Sequence, residues 1–253
     1  MLLKIDGLTK HFGGITALNH IDMYVNQGEM VGLIGPNGAG KTTVFNLITG
    51  FLRPNIGKIF FDGYAITGMK PHVIAKLGIG RTFQLNPFFG EFTVLQNILA
   101  SFYLHPKSNL WDAFFNTHTY RRNEAYILEQ ATEILVQVGL YKVKDELAKN
   151  LPHGYQKMLG MARALATKPK LLLLDEPMGG MSSEEIDFAL TAIQKTRQQG
   201  ITILLIEHRL QIMDFCDRII VLSFGTKIAE GTIHEIRKKE EVIKAYFGID
   251  HAT

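Results

Sequence analysis

The run Met30-Val31-Gly32-Leu33-Ile34-Gly35-Pro36-Asn37-Gly38-Ala39-Gly40-Lys41-Thr42-Thr43 decides the reading of this chain. Met30–Ile34 carries no polar side chain, the pattern of a strand buried on both faces. Gly35 to Thr42 then matches G-x-x-x-x-G-K-[ST]. Val44, Phe45, Leu47 and Ile48 continue it as one face of a helix. Strand, glycine-rich turn and helix in this order make a phosphate cradle. Glycines allow backbone N–H groups to turn inward around phosphate oxygens, and the helix start aims its positive end at the anion. Lys41 is placed to reach the β- and γ-phosphates, and the Thr42 hydroxyl to coordinate Mg²⁺.

Working outward, short β-rich runs alternate with helical patterns. The strand candidates are Ile21–Val25, Met30–Ile34, Lys58–Phe61, Leu171–Leu174, Thr202–Ile206 and Arg218–Leu222. Ile127, Ala131, Ile134, Leu135 and Val138 lie on one helical face. Ile186, Ala189, Leu190 and Ile193 lie on another, with Ser182 and Glu185 spaced as a capping box and Gly200 as a stop. Such alternation predicts an α/β fold with a mixed, mainly parallel sheet. From about Phe88 to Thr167 no strand is expected and three helical patterns follow one another. The expectation is a single domain over 1–253, with a core of about 1–87 and 168–253 and an inserted α-helical subdomain of about 88–167.

Composition narrows the class. The 253 residues correspond to one large domain or two small ones at ~150 residues each. With 46% hydrophobic and 20% charged residues, a disordered or fibrous chain is excluded. A net charge of +3 is too mild to argue a nucleic-acid partner. The single cysteine, Cys216, excludes an internal disulfide and fits a reducing compartment. Lys4, Asp6 and Lys10 break the N-terminal stretch, so no signal-peptide core is expected there. The longest apolar runs fall far short of the ~20 residues of a spanning helix. The chain is therefore expected to be soluble, or attached to a membrane only through a partner.

A second motif completes the chemistry. Leu171-Leu172-Leu173-Leu174-Asp175-Glu176 reads as a buried strand ending in two carboxylates, with Pro177 turning the chain. Beside a phosphate cradle, Asp175 is placed to hold Mg²⁺ and Glu176 to polarise an attacking water. Alone, the pair would read as an acidic strand end in a turn.

At this point the residues resemble the ATP-binding cassette family, over about residues 2–248. The resemblance implies a P-loop NTPase core that binds ATP with Mg²⁺ and hydrolyses it to power a transporter. It places Phe12 as the aromatic that stacks on adenine, Gly35, Pro36, Asn37, Gly38, Ala39, Gly40, Lys41, Thr42 and Thr43 around the phosphates, and Arg81-Thr82-Phe83-Gln84 as the Q-loop. Gln84 would contact metal or water, and Leu151-Pro152-His153-Gly154-Tyr155 would stand at the signature position. Asp175 and Glu176 would be the metal and water carboxylates, Gly180-Met181-Ser182 the D-loop, and His208 the γ-phosphate switch. Taken singly, Gln84 reads as a surface amide, Phe12 as a loop anchor and His208 as a satisfied strand-end histidine. Their order raises them together.

A closer resemblance is to the ATP-binding subunits of branched-chain amino-acid importers. It rests on His11–Leu18, Arg81–Gln84, Ile206-Glu207-His208, Ala245-Tyr246-Phe247-Gly248 and the long stretch Ser101–Tyr120 with Trp111. It implies membrane permease subunits, a second ATPase subunit that is identical or paralogous, a peripheral place on the cytoplasmic face of the inner membrane, and no nucleic acid. Asn86, Pro87, Phe88, Phe89 and Phe92 form an apolar patch suited to a partner's coupling helix, or core of the helical subdomain. Lipopolysaccharide-type exporters share several of these features. A soluble cassette ATPase acting on ribosomes or DNA, and a nucleotide-dependent kinase, are the rivals from other classes. One cradle and no heptad run argue against the former. The signature-like segment has no job in the latter.

Two departures stand out. The family's signature serine is replaced by Pro152, which has neither hydroxyl nor N–H, while Gly154 is retained. Either the motif has drifted and still works, or the chain belongs to an asymmetric pair in which its own signature caps a slower site. Ser182 stands where many relatives carry Asp or Asn, so it is a short-reach D-loop residue or only a helix cap.

Overall fold

The computed structural model describes residues 1–83, 88–102, 118–208 and 210–247. Gln84, Asn86, Pro87, Trp111 with most of Ser101–Tyr120, and Gly248 lie outside them.

Two sheets form rather than one. Strands β1 (Leu3–Phe12), β2 (Ile15–Val25), β4 (Ile56–Phe61) and β5 (Tyr64–Ala65) make a wholly antiparallel sheet of order β2-β1-β4-β5. Strands β3 (Met30–Ile34), β6 (Ile79–Arg81), β7 (Leu171–Asp175), β8 (Thr202–Ile206), β9 (Arg218–Ser223) and β10 (Thr226–Gly231) make the second sheet, of order β10-β9-β3-β8-β7-β6. It is parallel throughout except for β10 on β9. The mixed, mainly parallel sheet expected above is this second one. Ile21–Val25 and Lys58–Phe61 pair in the antiparallel sheet instead.

Strand periodicity explains how the layers join. Leu172 and Leu174 of β7 join one hydrophobic cluster, with Met30, Ile34, Leu205 and Val221, while Leu171 and Leu173 join the other, with Val31, Leu33 and Leu204. Successive side chains of a strand point to opposite faces, so a continuous apolar run serves both layers. On the second face, helix α1 (Lys41–Ile48) and the antiparallel sheet cover the strands through Phe45, Leu47, Ile5 and Phe61.

On the first face lie three helices from the region read as an insertion: α3 (Val94–Phe102), α4 (His118–Gln137) and α5 (His153–Ala166). Helix α2 (Pro71–Leu77) precedes β6. Among the described residues of that region the only strand-like pairing is a bridge between Thr93 and Leu147. Val94, Ile98, Leu135, Leu159 and Leu165 share one hydrophobic cluster with Leu172 and Leu174, so the helices pack directly on the sheet. Phe88 packs against this cluster, whereas Phe89 and Phe92 are exposed with their rings 5.1 Å apart.

Helix α6 (Ser183–Gln198) starts on Ser182, whose hydroxyl accepts from the Glu185 N–H at 3.3 Å while Glu185 accepts from the Ser182 N–H at 2.8 Å. This is the capping box read from the sequence. Helices α7 (Leu210–Met213), α8 (Ile233–Ile236) and α9 (Glu240–Phe247) close the chain. Ser182→Ala removes the acceptor for one helix N–H and should lower unfolding free energy by about 1 kcal/mol, read by urea denaturation. No measurable change would show that the cap contributes nothing here.

Candidate functional site

The site begins at the end of β3. An added Cβ on Gly35 would lie 2.1 Å from the Leu222 carbonyl oxygen, so only glycine lets β3 run this close to β9. Gly40 has φ 102° and caps α1 in a left-handed conformation, wedged against Ala17 and Leu18 of β2. The first turn of α1 has no side-chain cap and no acidic residue, which leaves its N–H groups for an outside acceptor. Lys41 is buried, and its Nζ donates to the carbonyls of Gly35 at 2.8 Å and Pro36 at 3.0 Å. Burial lowers its pKa from the ordinary lysine range, opposed by the charges of Glu176 and Asp175. Asn37, Gly38 and Thr42 are open to solvent around this cation. The loop is thus a concave set of donors, fitted to an anion of several oxygens.

Three strand ends bring the carboxylates to it. Asp175 closes β7 and is 3% exposed, with Oδ2 on the Arg81 guanidinium at 3.0 Å. Burial raises the Asp175 pKa, with Arg81 opposing. Glu176 takes a left-handed conformation, φ 46°, which turns its side chain out of the sheet. Its Oε1 meets His208 Nε2, from the segment after β8, at 2.8 Å. Asp175, Glu176 and His208 are therefore brought together beside Lys41. Among the described residues no cluster of three His, Cys, Asp or Glu side chains exists to hold a metal. An exposed Thr42 hydroxyl and the Asp175 carboxylate instead suit a hard cation that keeps water and phosphate oxygens as its other ligands, as Mg²⁺ does.

The remaining sequence candidates fall at the edges. Phe12 is 45% exposed at the tip of the β1–β2 hairpin, paired with Ile15, two residues before the Ala17–Leu18 segment that touches Gly40. Helix α5 starts at His153, so Pro152 is its N-cap rather than its first helical residue and offers no side-chain cap. Gly154 is buried, and an added Cβ would meet Glu185 Oε1 at 2.3 Å. That atom is the far end of a flexible side chain, so a Cβ here would displace the Glu185 carboxylate rather than clash with backbone. Gln84 lies outside the described residues.

Sequence reading missed three contributors. Arg81 donates to Asn46 Oδ1 at 2.7 Å and Thr49 Oγ1 at 3.1 Å as well as to Asp175, and its guanidinium stacks over Phe83. Lys157, on α5, donates to the Glu176 carbonyl at 2.7 Å. Glu207 is buried and accepts from two backbone N–H groups. A carboxylate ending a buried strand demands a counter-cation, and that demand was the available signal for Arg81. Arg81 also lines a cleft of about 640 Å³ with Phe51, His72, Phe83, Phe89 and Arg163.

This arrangement is that of a P-loop ATPase of the cassette type, and the comparisons with known proteins agree. Residues 18–179 match the ABC transporter family model, and the chain belongs to that family. It is 41% identical over 249 residues to the high-affinity branched-chain amino acid transport ATP-binding protein BraF of Pseudomonas aeruginosa, covering 98% of each chain. It is 39% identical, again over 98% of each, to the LivG protein of Escherichia coli, which carries the same description. A solved ATP-binding cassette of an ABC transporter in its ADP conformation superposes with TM-score 0.84 at 33% identity, covering 98% of this chain and 99% of that one. A nucleotide-free cassette superposes with TM-score 0.85.

Arg81→Met leaves the Asp175 carboxylate buried without its cation and should destabilise the fold by about 3–5 kcal/mol. Chemical denaturation reads this. A loss under about 1 kcal/mol would show that the pair is dispensable.

Proposed function

We propose that this chain is the ATP-hydrolysing subunit of a membrane transporter that imports branched-chain amino acids or a similar small polar solute. The observation that carries the reading is the Glu176–His208 pair, 2.8 Å apart, at the mouth of the Lys41 loop. Gly35–Thr43 bind the triphosphate: Lys41 exchanges its two loop carbonyls for β- and γ-oxygens, and the open first turn of α1 takes a third set. Phe12 stacks on the adenine. Thr42 and Asp175, with Gln84, hold Mg²⁺, which when bound offsets the charge of the phosphates.

Glu176 orients a water and accepts its proton as the water oxygen bonds to the γ-phosphorus and the bond to the bridging oxygen breaks. His208 Nε2, bonded to Glu176 Oε1 here, exchanges that partner for a γ-phosphate oxygen when the nucleotide binds. Positioning and charge stabilisation are the whole task in such a transfer.

The chain works in a pair with a second ATPase subunit, identical or paralogous. Its signature-position segment, His153 and Gly154, packs against Gly180 and Glu185 of its own chain. That leaves the exposed Pro152 edge to face the partner's nucleotide. Residues of about 88–167 act as a helical subdomain that moves against the core. The cleft between α2, α5 and the exposed Phe89 takes the permease's coupling helix, supported by its mainly apolar lining. No helix among the described residues is long and apolar enough to cross a membrane. Membrane permease subunits hold the chain on the cytoplasmic face, a reading supported by the transport names of its relatives. Nucleic acid is not a partner. The names of the relatives support branched-chain amino acids as the solute.

The test is ATP hydrolysis by the chain reconstituted with the permease and ATPase subunits that co-purify with it. Glu176→Gln should lower kcat by about 10²–10⁴-fold while nucleotide still binds. Pro152→Ser should raise turnover if the pair is asymmetric, and leave it unchanged if the motif has merely drifted. Hydrolysis by Glu176→Gln equal to the parent would overturn the assignment.

A further inference from the structure

Glu176 carries an energetic burden that its neighbours must hold. A glutamate at φ 46° sits in a region that L side chains seldom adopt. Such a conformation persists only where the surroundings over-determine it. Here its N–H donates to the Ile206 carbonyl at 3.0 Å, and its carbonyl accepts from Lys157 Nζ at 2.7 Å and the Gly179 N–H at 3.3 Å.

The next contact on this turn is with Glu207. Its carboxylate is 3% exposed, at the end of β8. Oε1 accepts from the Met178 N–H at 3.0 Å and Oε2 from the His208 N–H at 3.2 Å. Met178 lies two residues after Glu176, and His208 is the other member of the 2.8 Å pair. One buried carboxylate therefore holds both backbone segments that carry the pair. A buried charge is costly unless hydrogen-bonded and paired. Two N–H groups and the Lys157 cation supply what Glu207 needs. Burial raises its pKa, and both N–H bonds oppose that rise.

We propose that Glu207, with Lys157, is a positioning residue for hydrolysis: it clamps the Met178 and His208 backbones so that the Glu176 carboxylate and the His208 ring stay in register over the γ-phosphate. Lys157 stands on α5, four residues from the signature-position edge at His153. The clamp thus also ties the edge that meets the partner's nucleotide to the chain's own water-activating carboxylate. Neither residue touches substrate. This inference rests on the hydrolytic reading above.

The experiment uses the full chain in its ATPase pair. Glu207→Gln is isosteric but offers one acceptor oxygen where two are needed. It should lower kcat by about 10- to 100-fold, with the KM for ATP and the affinity for a fluorescent ATP analogue within about twofold. Amide hydrogen exchange at Met178 and His208 should quicken by about tenfold. If Glu207→Gln does not fold, Lys157→Met makes the same test from a half-buried position, with a loss in kcat at unchanged affinity that Lys157→Arg partly restores. A kcat within about twofold of the parent in the folded variant, or kcat and affinity falling together, overturns the clamp. The exchange measurement separates this from failure of the hydrolytic reading. A parent pair that cleaves no ATP while exchange quickens in the variant refutes hydrolysis and leaves the hydrogen-bond clamp standing.

Discussion

The structure depends on holding one buried carboxylate, Asp175, at the end of a strand that is otherwise wholly apolar, with the part-exposed Glu176 beside it. Four leucines bury β7 on both faces, and Asp175 and Glu176 follow with no polar residue between. Taking such a charge out of water costs several kcal/mol unless cations and N–H groups replace the solvent. Arg81 meets Asp175 from the neighbouring strand, Lys41 lies across from both, and Lys157 reaches the Glu176 backbone from the helical side. Each cation comes from a different element. The sheet order, the placement of α1 and the docking of α5 are thereby linked to one point. In an α/β sheet that point is the carboxyl end of parallel strands, where ligands collect.

The motifs were legible because their chemistry is local. A glycine-rich turn between a strand and a helix, or a carboxylate pair on an apolar strand, declares itself in a few residues. The capping box of α6 is local for the same reason. The antiparallel sheet was not legible as a separate layer. Lys4, Asp6 and Lys10 put charge on the exposed face of β1, and register shifts between Ile5 and Leu8 and beyond break its alternation. β6 has three residues, and β10 reads Thr226-Lys227-Ile228-Ala229-Glu230-Gly231 with no apolar alternation, so neither carries a strand pattern. Arg81 and Glu207 sit inside motifs and Lys157 just beyond one, yet none declares a role, because what they bond lies up to 94 positions away in sequence.

The same geometry explains why Gly154 and Pro152 need separate accounts. Gly154 faces the Glu185 carboxylate of its own chain, the movable end of a side chain that a Cβ would push aside. Pro152 is exposed at the helix N-cap and bonds nothing through its side chain. A serine there could cap the helix, so the proline forgoes about 1 kcal/mol of capping. In the proposed pair, a serine hydroxyl at this position would add about 1.5–3 kcal/mol on the partner's phosphate. Arg81 likewise belongs to two places at once. It fixes Asp175 and lines the cleft beside Phe89, so whatever fills that cleft presses on the Asp175 carboxylate through one side chain.

The central claim is that the Lys41 loop is built to wrap a triphosphate. Titration calorimetry with ATP and Mg²⁺ tests it most directly, comparing the parent chain with Lys41→Ala. The account predicts one saturable site per chain, lost or weakened by about two orders of magnitude when the buried cation is removed. No heat of binding to the parent, or equal affinity in both proteins, would contradict it.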